Sequence, residues 1–270
     1  MKVSAYIPCY NNSATLRSSI SSILSQTIPV TEFFVLDDGS RDSSGEVARQ
    51  MGVRVVHNEK NLGRGAVRAR AMEIAGHELV LSCDATNALP TKFLESALSW
   101  MNSDSVAAVF GRMVQEPGGP VLDRWRGRHL FKTNAEYPLN RKASLATGGV
   151  LMRRSSVLGV GNYDEKLCHS EDAELGERLL ARGYDIICDP NLKIVAKSRN
   201  GLGNLMERYW RWNVGKNVRI SWRSYFKQIA YSVKVMAVED AKDRDLLSVP
   251  ISLLTPHYQF WRSVFLGCNK

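Results

Sequence analysis

Long apolar stretches are scarce in this chain of 270 residues, and none approaches the roughly twenty residues that a membrane-spanning helix needs. The apolar run at the N-terminus is also too short for a secretory signal peptide. Cysteine is scarce as well: the five cysteines are widely spaced, with no Cys-x-x-Cys pair and no histidine spacing typical of a zinc site. These absences favour a reducing compartment and predict a cytoplasmic protein, free or peripheral on the inner face of a membrane.

Repeats and low-complexity segments are absent, and 44% hydrophobic residues are typical of an ordinary globular protein. The net charge of +9 is concentrated near the C-terminus, since residues 193–270 contain 14 Lys and Arg against 5 Asp and Glu. Residues 1–192 contain 22 of each sign. An anionic lipid, a pyrophosphate or a nucleic acid would each complement the basic tail.

Short apolar strand patterns alternate with helical patterns in the first half of the chain. The strand candidates are residues 3–7, 33–36, 53–56 and 78–82. This alternation predicts an α/β fold with a doubly wound, parallel sheet, whose ligands bind at the carboxyl ends of the strands. Polar clusters follow three of these strands, at residues 8–12, 37–40 and 83–87. We therefore expect the three clusters to meet at one edge of the sheet.

An acidic pair precedes a helical pattern later in the chain. Glu171 and Asp172 come directly before leucines at helical spacing, and Gly183 follows as a helix stop. Both carboxylates would lie in the first helical turn, where the helix dipole favours negative charge. Capping acids and catalytic acids both fit this position.

Five motifs in order carry a resemblance to a known family. They are Pro-Cys-Tyr-Asn at 8–11, Asp-Asp-Gly-Ser at 37–40, Asn-Leu-Gly at 61–63 leading to Arg68, Asp-Ala-Thr at 84–86, and the segment 161–184. Each is weak alone, but together the chain resembles a family-2 inverting glycosyltransferase with the GT-A fold. The resemblance implies a Rossmann-like, mostly parallel sheet over residues 1–201, with a nucleotide-sugar half at 1–115 and an acceptor half at 116–201. Residues 202–270 are expected to form a helical, basic appendage.

The resemblance also implies a reaction and roles for residues. In an inverting transfer an acceptor hydroxyl attacks the anomeric carbon opposite the leaving nucleotide diphosphate, so one carboxylate must accept the hydroxyl proton. Asp172 is the expected base, and Glu171 beside it is expected to bind acceptor hydroxyls or to exchange roles with Asp172. The donor would lie against Pro8, Tyr10, Asn11, Asp38, Arg68 and Asp84. UDP is the commonest nucleotide among such enzymes, with GDP and dTDP open.

Two departures from the family pattern concern a metal ion. Thr86 stands where relatives have the second acidic residue of the Asp-x-Asp motif, so a site for Mg²⁺ or Mn²⁺ would depend on Asp84 and be weakened. Lys197 stands where many relatives have a histidine. One hypothesis is metal-independent action, with Lys197 and Arg199 supplying positive charge to the diphosphate. The other is that Asp84 holds the ion alone.

Acceptor recognition is predicted from two features of the second half. Gly148 would allow the backbone to approach a sugar, although a simple turn fits equally well. Residues 123–129 are basic and aromatic, and are expected to form a mobile loop over the donor and acceptor. Trp125 in this loop would either stack on a sugar ring or pack in the core. The acceptor itself is expected to be a glycan or a lipid-linked sugar.

The basic tail contains a further amphipathic pattern. One stripe carries apolar side chains while arginines and lysines lie beside it; the stripe comprises Trp222, Phe226, Ile229, Val233 and Met236. Such a helix would lie on an anionic membrane surface or pack against the catalytic domain.

Three other functions compete with glycosyl transfer. A catalytically dead GT-A domain that binds a nucleotide or glycan would fit Thr86 and Lys197, although retention of Glu171 and Asp172 argues against it. A sugar nucleotidylyltransferase would need a glycine-rich phosphate loop after the first strand, and the sequence has none there. Nucleic-acid binding is not expected, because the basic tail contains no reader motif.

Overall fold

The computed structural model describes residues 1–199, 201–213 and 219–265. The chain divides into two compact units. The first unit comprises residues 1–114 and 136–198, and the second comprises residues 115–135 and 199–270. The predicted organisation had assigned residues 116–135 to the acceptor half of the catalytic domain, whereas in the structure this segment groups with the C-terminal helices.

The first unit contains an eight-stranded sheet and six α-helices in its described residues. The strands are β1 (Val3–Cys9), β2 (Glu32–Asp37), β3 (Arg54–His57), β4 (Leu79–Cys83), β5 (Asn87–Ala88), β6 (Val106–Val114), β7 (Gly149–Arg153) and β8 (Asp185–Ala196). The helices are α1 (Ser13–Leu24), α2 (Ser44–Gln50), α3 (Arg64–Ile74), α4 (Phe93–Leu98), α6 (Arg154–Gly159) and α7 (Glu171–Ala181).

The strands are ordered β3-β2-β1-β4-β7-β6-β8-β5 across the sheet. β1 pairs in parallel with β2 and β4, β2 with β3, and β6 with β8. β7 runs antiparallel to β4 and β6, and the short β5 runs antiparallel to β8. The predicted α/β fold is confirmed, with the parallel strands of the first half in one continuous block.

Side chains of the sheet alternate between two apolar layers because successive strand residues point to opposite faces. Ile7 of β1 packs in one layer with Leu16 of α1. Tyr6 of β1 lies in the other layer, with Met72 of α3 and Leu175 of α7. The second layer holds α3 and α7 on the same face of the sheet, which brings their N-terminal ends to the functional site.

The described part of the second unit is helical, as predicted for the basic tail. It comprises α5 (Val121–Trp125), a π-helical turn at Arg126–Leu130, α8 (Leu202–Asn213), α9 (Trp222–Tyr231), a π-helical turn at Ser232–Met236, α10 (Ala237–Lys242), a short 3₁₀ turn at Leu246–Ser248 and α11 (Val249–Phe265). In the described ranges no helix combines the length and the apolar character needed to cross a bilayer.

The segment expected to be a mobile loop is instead helical and internal to the second unit. Trp125 is fully buried, its ring lies 5.2 Å from those of His129 and Tyr209, and its Nε1 donates to Ser252 Oγ at 2.8 Å. The structure therefore selects core packing over sugar stacking for Trp125. The physical reason is that C-terminal helices, distant in sequence, supply the apolar surroundings and the hydrogen-bond partner of the indole.

Candidate functional site

A cleft of about 330 Å³ opens at the carboxyl ends of β1, β2 and β4. Its size is in the range of small-molecule sites, and its position is the usual one for ligands of open α/β sheets. Five of the predicted donor residues line it, namely Pro8, Tyr10, Asp38, Arg68 and Asp84. Parallel strands thus bring together side chains that lie up to 76 positions apart in the sequence.

Asn11, also predicted to bind the donor, connects the first two loops of the cleft. Its Oδ1 accepts from the backbone N–H of Arg41 at 2.8 Å, and its own N–H donates to Ser40 Oγ at 2.9 Å. The residue adopts a left-handed conformation with φ of 52°. Asn11 is absent from the described lining of the cleft, so the structure gives it the position of a loop connector.

Asp38 is buried and organises the segment that leads into α3. Its Oδ1 accepts from Asn58 Nδ2 at 2.8 Å and from the Leu62 N–H at 2.9 Å, while its Oδ2 accepts from the Gly63 N–H at 3.0 Å. Gly63 has φ of 93°, a conformation that favours glycine and turns the chain into the helix. The carboxylate therefore fixes one wall of the cleft while presenting its edge to the interior.

Arg68 of α3 joins three elements around the cleft. Its guanidinium is 3% exposed; Nη2 donates to Asp84 Oδ1 at 2.7 Å and Nε to Glu171 Oε1 at 3.2 Å. Nη1 donates to Ser82 Oγ of β4 at 3.1 Å. Burial alone would lower the pKa of Arg68, but the negative charges around it, that of Asp84 foremost, raise the pKa well above its usual value. Arg68 is thus a permanent cation whose three described donor groups bond to protein.

The two acidic residues at the start of α7 have different surroundings. Glu171 is 2% exposed, and its Oε2 is buried without a hydrogen-bond partner in the structure. Asp172 is only half-buried; its Oδ2 accepts from Thr147 Oγ1 at 3.3 Å. Ser170, directly before them, adopts φ of 61°, and such left-handed conformations cluster at functional sites. Of the pair, Asp172 is the carboxylate that is accessible to solvent.

A second connection joins Asp172 to the cleft. Thr147 precedes Gly148, whose carbonyl accepts from the Asp84 N–H at 3.2 Å and from Asn87 Nδ2 at 2.8 Å. A Cβ placed on Gly148 would lie 3.0 Å from Asn87 Nδ2 and 4.0 Å from Asp84 Oδ2. Gly148 therefore lies in contact with the Asp84 loop, and the acidic pair is tied to this loop through both Arg68 and residues 147–148.

The two departures from the family pattern lie on neighbouring backbones. β5 and β8 pair with Asn87 opposite Ala196, and the Lys197 N–H donates to the Thr86 carbonyl at 2.8 Å. Thr86 lines the cleft, and Lys197 is half-buried beside it. A cationic residue therefore stands next to the position that lacks a carboxylate. Arg199 belongs to the second unit, so its role stays a prediction.

The donor set for a divalent cation is sparse. The Asp84 side chain is 35% exposed and has one oxygen bonded to Arg68. Within the ranges that the structure describes, no three His, Cys, Asp or Glu side chains group as a metal site. Mg²⁺ is commonly held by one or two carboxylates together with substrate phosphates and water. The remaining oxygen of Asp84 fits a cation of that kind, one shared with a bound diphosphate, whereas Thr86 is a poor ligand.

Three lining residues lie outside the positions that the sequence singled out, namely Arg64, Val67 and Cys168. Arg64 is exposed at the first position of α3 and lines the cleft. Cys168 is exposed and lines the cleft near Gly63, since a Cβ on Gly63 would lie 3.2 Å from its Sγ. Gly63 as a helix-starting residue was the available signal for Arg64. No local signal pointed to Cys168, because its approach to Gly63 is a tertiary contact.

Comparison with known proteins gives a family match and distant relatives. The family model described as "Glycosyl transferase family 2" matches residues 4–160. The succinoglycan biosynthesis protein ExoA of Rhizobium meliloti is 26% identical over 227 residues, which cover 78% of this chain and 67% of that protein.

Two solved structures share the fold. The Staphylococcus aureus TarS 1–349 complex with UDP-GlcNAc has a TM-score of 0.60 at 20% identity and covers 98% of this chain and 74% of that one. The mannosyltransferase PcManGT of Pyrobaculum calidifontis, in complex with GDP-Man and Mn²⁺, has a TM-score of 0.61 at 16% identity. The match covers 99% of this chain and 76% of that one. At these identities the likeness concerns the fold alone.

Proposed function

The chain belongs to glycosyl transferase family 2, and we propose that it transfers a sugar from a nucleotide-diphosphate donor, with UDP favoured, to a hydroxyl of a glycan or lipid-linked acceptor. The transfer inverts the anomeric centre and serves the synthesis of a cell-surface polysaccharide. The observation that carries the proposal is the bridge from Asp84 through Arg68 to Glu171, because it holds the acidic pair beside the cleft. The polysaccharide role of ExoA and the UDP-GlcNAc bound by TarS support the substrate classes.

In the proposed reaction Asp172 is the base. The acceptor oxygen forms a bond to the anomeric carbon while its proton passes to the Asp172 carboxylate. The bond from the anomeric carbon to the diphosphate breaks, and its electron pair leaves with the nucleotide. Asp172 suits this role because it is half-buried, at the positive end of the α7 dipole and positioned by Thr147. Glu171 is buried with Arg68, so we propose that it positions α7 instead of binding the acceptor.

On the donor side, Tyr10 would stack on the nucleobase, as the 42% exposure of this residue allows. We propose that Arg64 meets the leaving diphosphate, since its guanidinium lies at the N-terminal end of α3, where backbone N–H groups also favour anions. Arg68 differs from the sequence expectation in this scheme: its donor groups bond to Glu171, Asp84 and Ser82, so it acts through them.

For the metal question, Asp84 would hold a divalent cation at its second oxygen, and a bound ion would supply positive charge to the diphosphate. We propose that Lys197, placed beside Thr86, supplies part of that charge from the protein itself. The chain should then retain measurable transfer in EDTA, and Lys197→Met should make the remaining transfer dependent on added Mn²⁺. Complete loss of transfer in EDTA, restored by Mn²⁺, would remove the role of Lys197.

Asp172→Asn tests the catalytic assignment. The variant should lower kcat by about 10²–10⁴-fold, the range that general bases contribute, while leaving donor binding nearly unchanged. Glu177→Gln is the matched control, because Glu177 is an exposed carboxylate on the same helix. NMR of the product should show the opposite anomeric configuration to the donor. A retained configuration, or full activity of Asp172→Asn, would refute the mechanism.

A catalytically dead domain is the second candidate, favoured by Thr86 in the Asp84 loop and by Lys197 beside it. It predicts nucleotide binding, visible as a raised melting temperature, without transfer or donor hydrolysis under any metal condition. The half-buried Asp172 supports the active enzyme, since a vestigial site has no need of a base that an acceptor reaches.

We also propose a cytoplasmic location with peripheral attachment to the inner face of the membrane. A lipid-linked acceptor presents its reactive hydroxyl at the bilayer surface, and an enzyme held there meets it at high local concentration. The net positive charge of the tail is consistent with an anionic inner leaflet.

A further inference from the structure

The exposed face of α9 and of the turn after it forms a surface that combines apolar and basic side chains. We define the α9 patch as the apolar residues Trp222, Phe226 and Val233 together with the basic residues Arg223, Lys227 and Lys234. Its apolar members are 64%, 62% and 48% exposed. No residue of α9 is buried. The stripe that was expected either to pack on the protein or to face a membrane is therefore divided. Its first, second and fourth members are exposed, whereas Ile229 is half-buried and Met236 is buried.

We propose that the α9 patch binds the surface of an anionic lipid bilayer, with α9 lying in the plane of the interface. At 100° per residue, Trp222 and Phe226 point in nearly the same direction from the helix axis. Arg223 and Lys227 both lie on the same side of this aromatic pair. This arrangement is typical of interfacial helices, whose apolar side chains enter the acyl boundary while flanking cations stay among the headgroups.

The charge on this surface argues for an anionic partner. Residues 219–238 contain four Lys and Arg and no Asp or Glu. Arg219, Arg223, Lys227 and Lys234 are all exposed. A second copy of the chain is disfavoured as the occupant, because a two-fold interface would place these like charges against each other. Lysine is also depleted at protein interfaces generally, which argues against an ordinary protein partner.

The aromatic support beneath the patch is rigid. The Trp222 ring lies 4.7 Å from Phe260 of α11, and the Tyr225 ring lies 4.4 Å from the same residue. Phe260 is buried, so α9 rests on α11 through these rings while its outer side chains remain exposed. Trp261 and Val264 of α11 are 53% and 42% exposed and extend the apolar surface of the same unit. Membrane binding therefore needs no unfolding of the helix.

The test is co-sedimentation of the full chain with vesicles of phosphatidylcholine alone or with about one third phosphatidylglycerol, at low and high salt. We expect binding to the anionic vesicles that weakens with salt. Removing both rings in Trp222→Ser/Phe226→Ser should weaken it at least tenfold. The triple variant Arg223→Gln/Lys227→Gln/Lys234→Gln should weaken it by about fivefold per charge.

Matched controls separate the patch from bulk charge and from folding. The triple variant Arg17→Gln/Lys92→Gln/Arg182→Gln removes three exposed cations from the first unit and should keep most vesicle binding. The charge variants should retain the wild-type melting temperature, because their side chains are exposed. The single variant Phe226→Ser keeps the contact between Trp222 and Phe260, so it should also retain that temperature while weakening vesicle binding.

Each contrary result has a definite meaning. Absence of vesicle binding, equal binding to neutral vesicles, or binding unaffected by the patch variants would overturn the proposal. So would a dimer that dissociates in Trp222→Ser/Phe226→Ser, or a single-stranded oligonucleotide bound more tightly than the vesicles through the same residues. Vesicle binding is measured without donor or acceptor, so its failure is distinguishable from failure of the proposed transfer reaction.

Discussion

Each of the two units contains a buried charged group that joins several elements. The two groups differ in whether all the buried polar atoms around them have hydrogen-bond partners. In the second unit, Asp240 is fully buried, and both of its oxygens have partners: Arg128 and His129 on one, Ser252 on the other. In the first unit, Arg68 bonds to Asp84 and Glu171, yet Glu171 Oε2 stays buried without a partner.

This difference separates a structural network from a functional one. A buried polar group that is fully bonded holds elements together, whereas an unsatisfied one costs free energy and points to another role. The Asp240 network joins the segment 115–135 to the C-terminal helices. The Arg68 network instead bonds only one oxygen of Asp84 and leaves the side chain partly exposed to the cleft.

Replacing Arg64 and Arg68 of α3 in turn should give the largest contrast. Arg68→Met leaves Glu171 and Asp84 without their cation, and should lower the free energy of unfolding by about 3 kcal/mol and transfer by more than about 100-fold. Arg64→Met removes an exposed cation one turn away, and should change stability by less than about 0.5 kcal/mol while raising the donor KM. Urea unfolding and steady-state kinetics measure both. Wild-type stability in Arg68→Met would remove the distinction between the two residues.

Neutralising one carboxylate in each network should give the next largest effect. Asp240→Asn weakens bonds to Arg128 and His129, and should lower the free energy of unfolding by about 2–3 kcal/mol with little effect on donor affinity. Glu171→Gln should lower it by about 1 kcal/mol or less, because only one oxygen is bonded, yet should reduce kcat by misplacing α7. If the two variants lost equal stability and equal activity, the contrast between the networks would be wrong.

Acid should destabilise the second unit through Asp245. Hydrogen bonds from Arg124, at 2.9 and 2.6 Å, hold the pKa of Asp245 well below its usual value. A lowered carboxyl pKa stabilises the fold above the unfolded pKa of about 3.9, and this contribution is lost as pH falls below that value. Asp245→Asn should cost about 2 kcal/mol at neutral pH and a smaller amount at pH 3 or so, because the contribution disappears completely only below the folded pKa.

Denaturant unfolding at both pH values measures this dependence. Asp104→Asn is its control, because the Asp104 side chain is fully exposed beside Arg153 at 3.5 Å and should contribute little. An Asp245→Asn variant that keeps the full acid sensitivity of the wild type would contradict the assignment.

The smallest predicted effect is the protection of a thiol in the cleft. Iodoacetamide should modify exposed Cys168, and UDP should slow the modification about tenfold at a concentration ten times its Kd. Cys9 also lines the cleft, but burial raises the pKa of its thiol to about 11, so it should stay unmodified. Peptide mass spectrometry, with Cys168→Ser as the control, identifies the labelled residue. Labelling of Cys168 at one rate with and without every nucleotide diphosphate would place the donor elsewhere.

Local patterns were enough to predict the sheet and the position of its ligand site. The strands at residues 3–7, 33–36 and 78–82 were found because their apolar alternation with helices is a local property, and the loops after them meet at one edge of a parallel sheet. Trp125 shows the opposite case. Its partner Ser252 lies 127 positions away, and no local pattern tells whether an aromatic side chain will find such a partner or face solvent.

Arg64 and Arg68 show the same limit within a single helix. The sequence places both on α3, but which one is buried depends on α7 and β4, which pack against one side of α3 and supply Glu171 and Ser82. By itself, the sequence determined the elements, their order and the loops that carry the motifs, because these follow from periodicity and turn chemistry. Only the tertiary structure decided which charges are buried, which carboxylate stays accessible and which aromatic side chains remain on the surface, because burial depends on elements that come from distant parts of the chain.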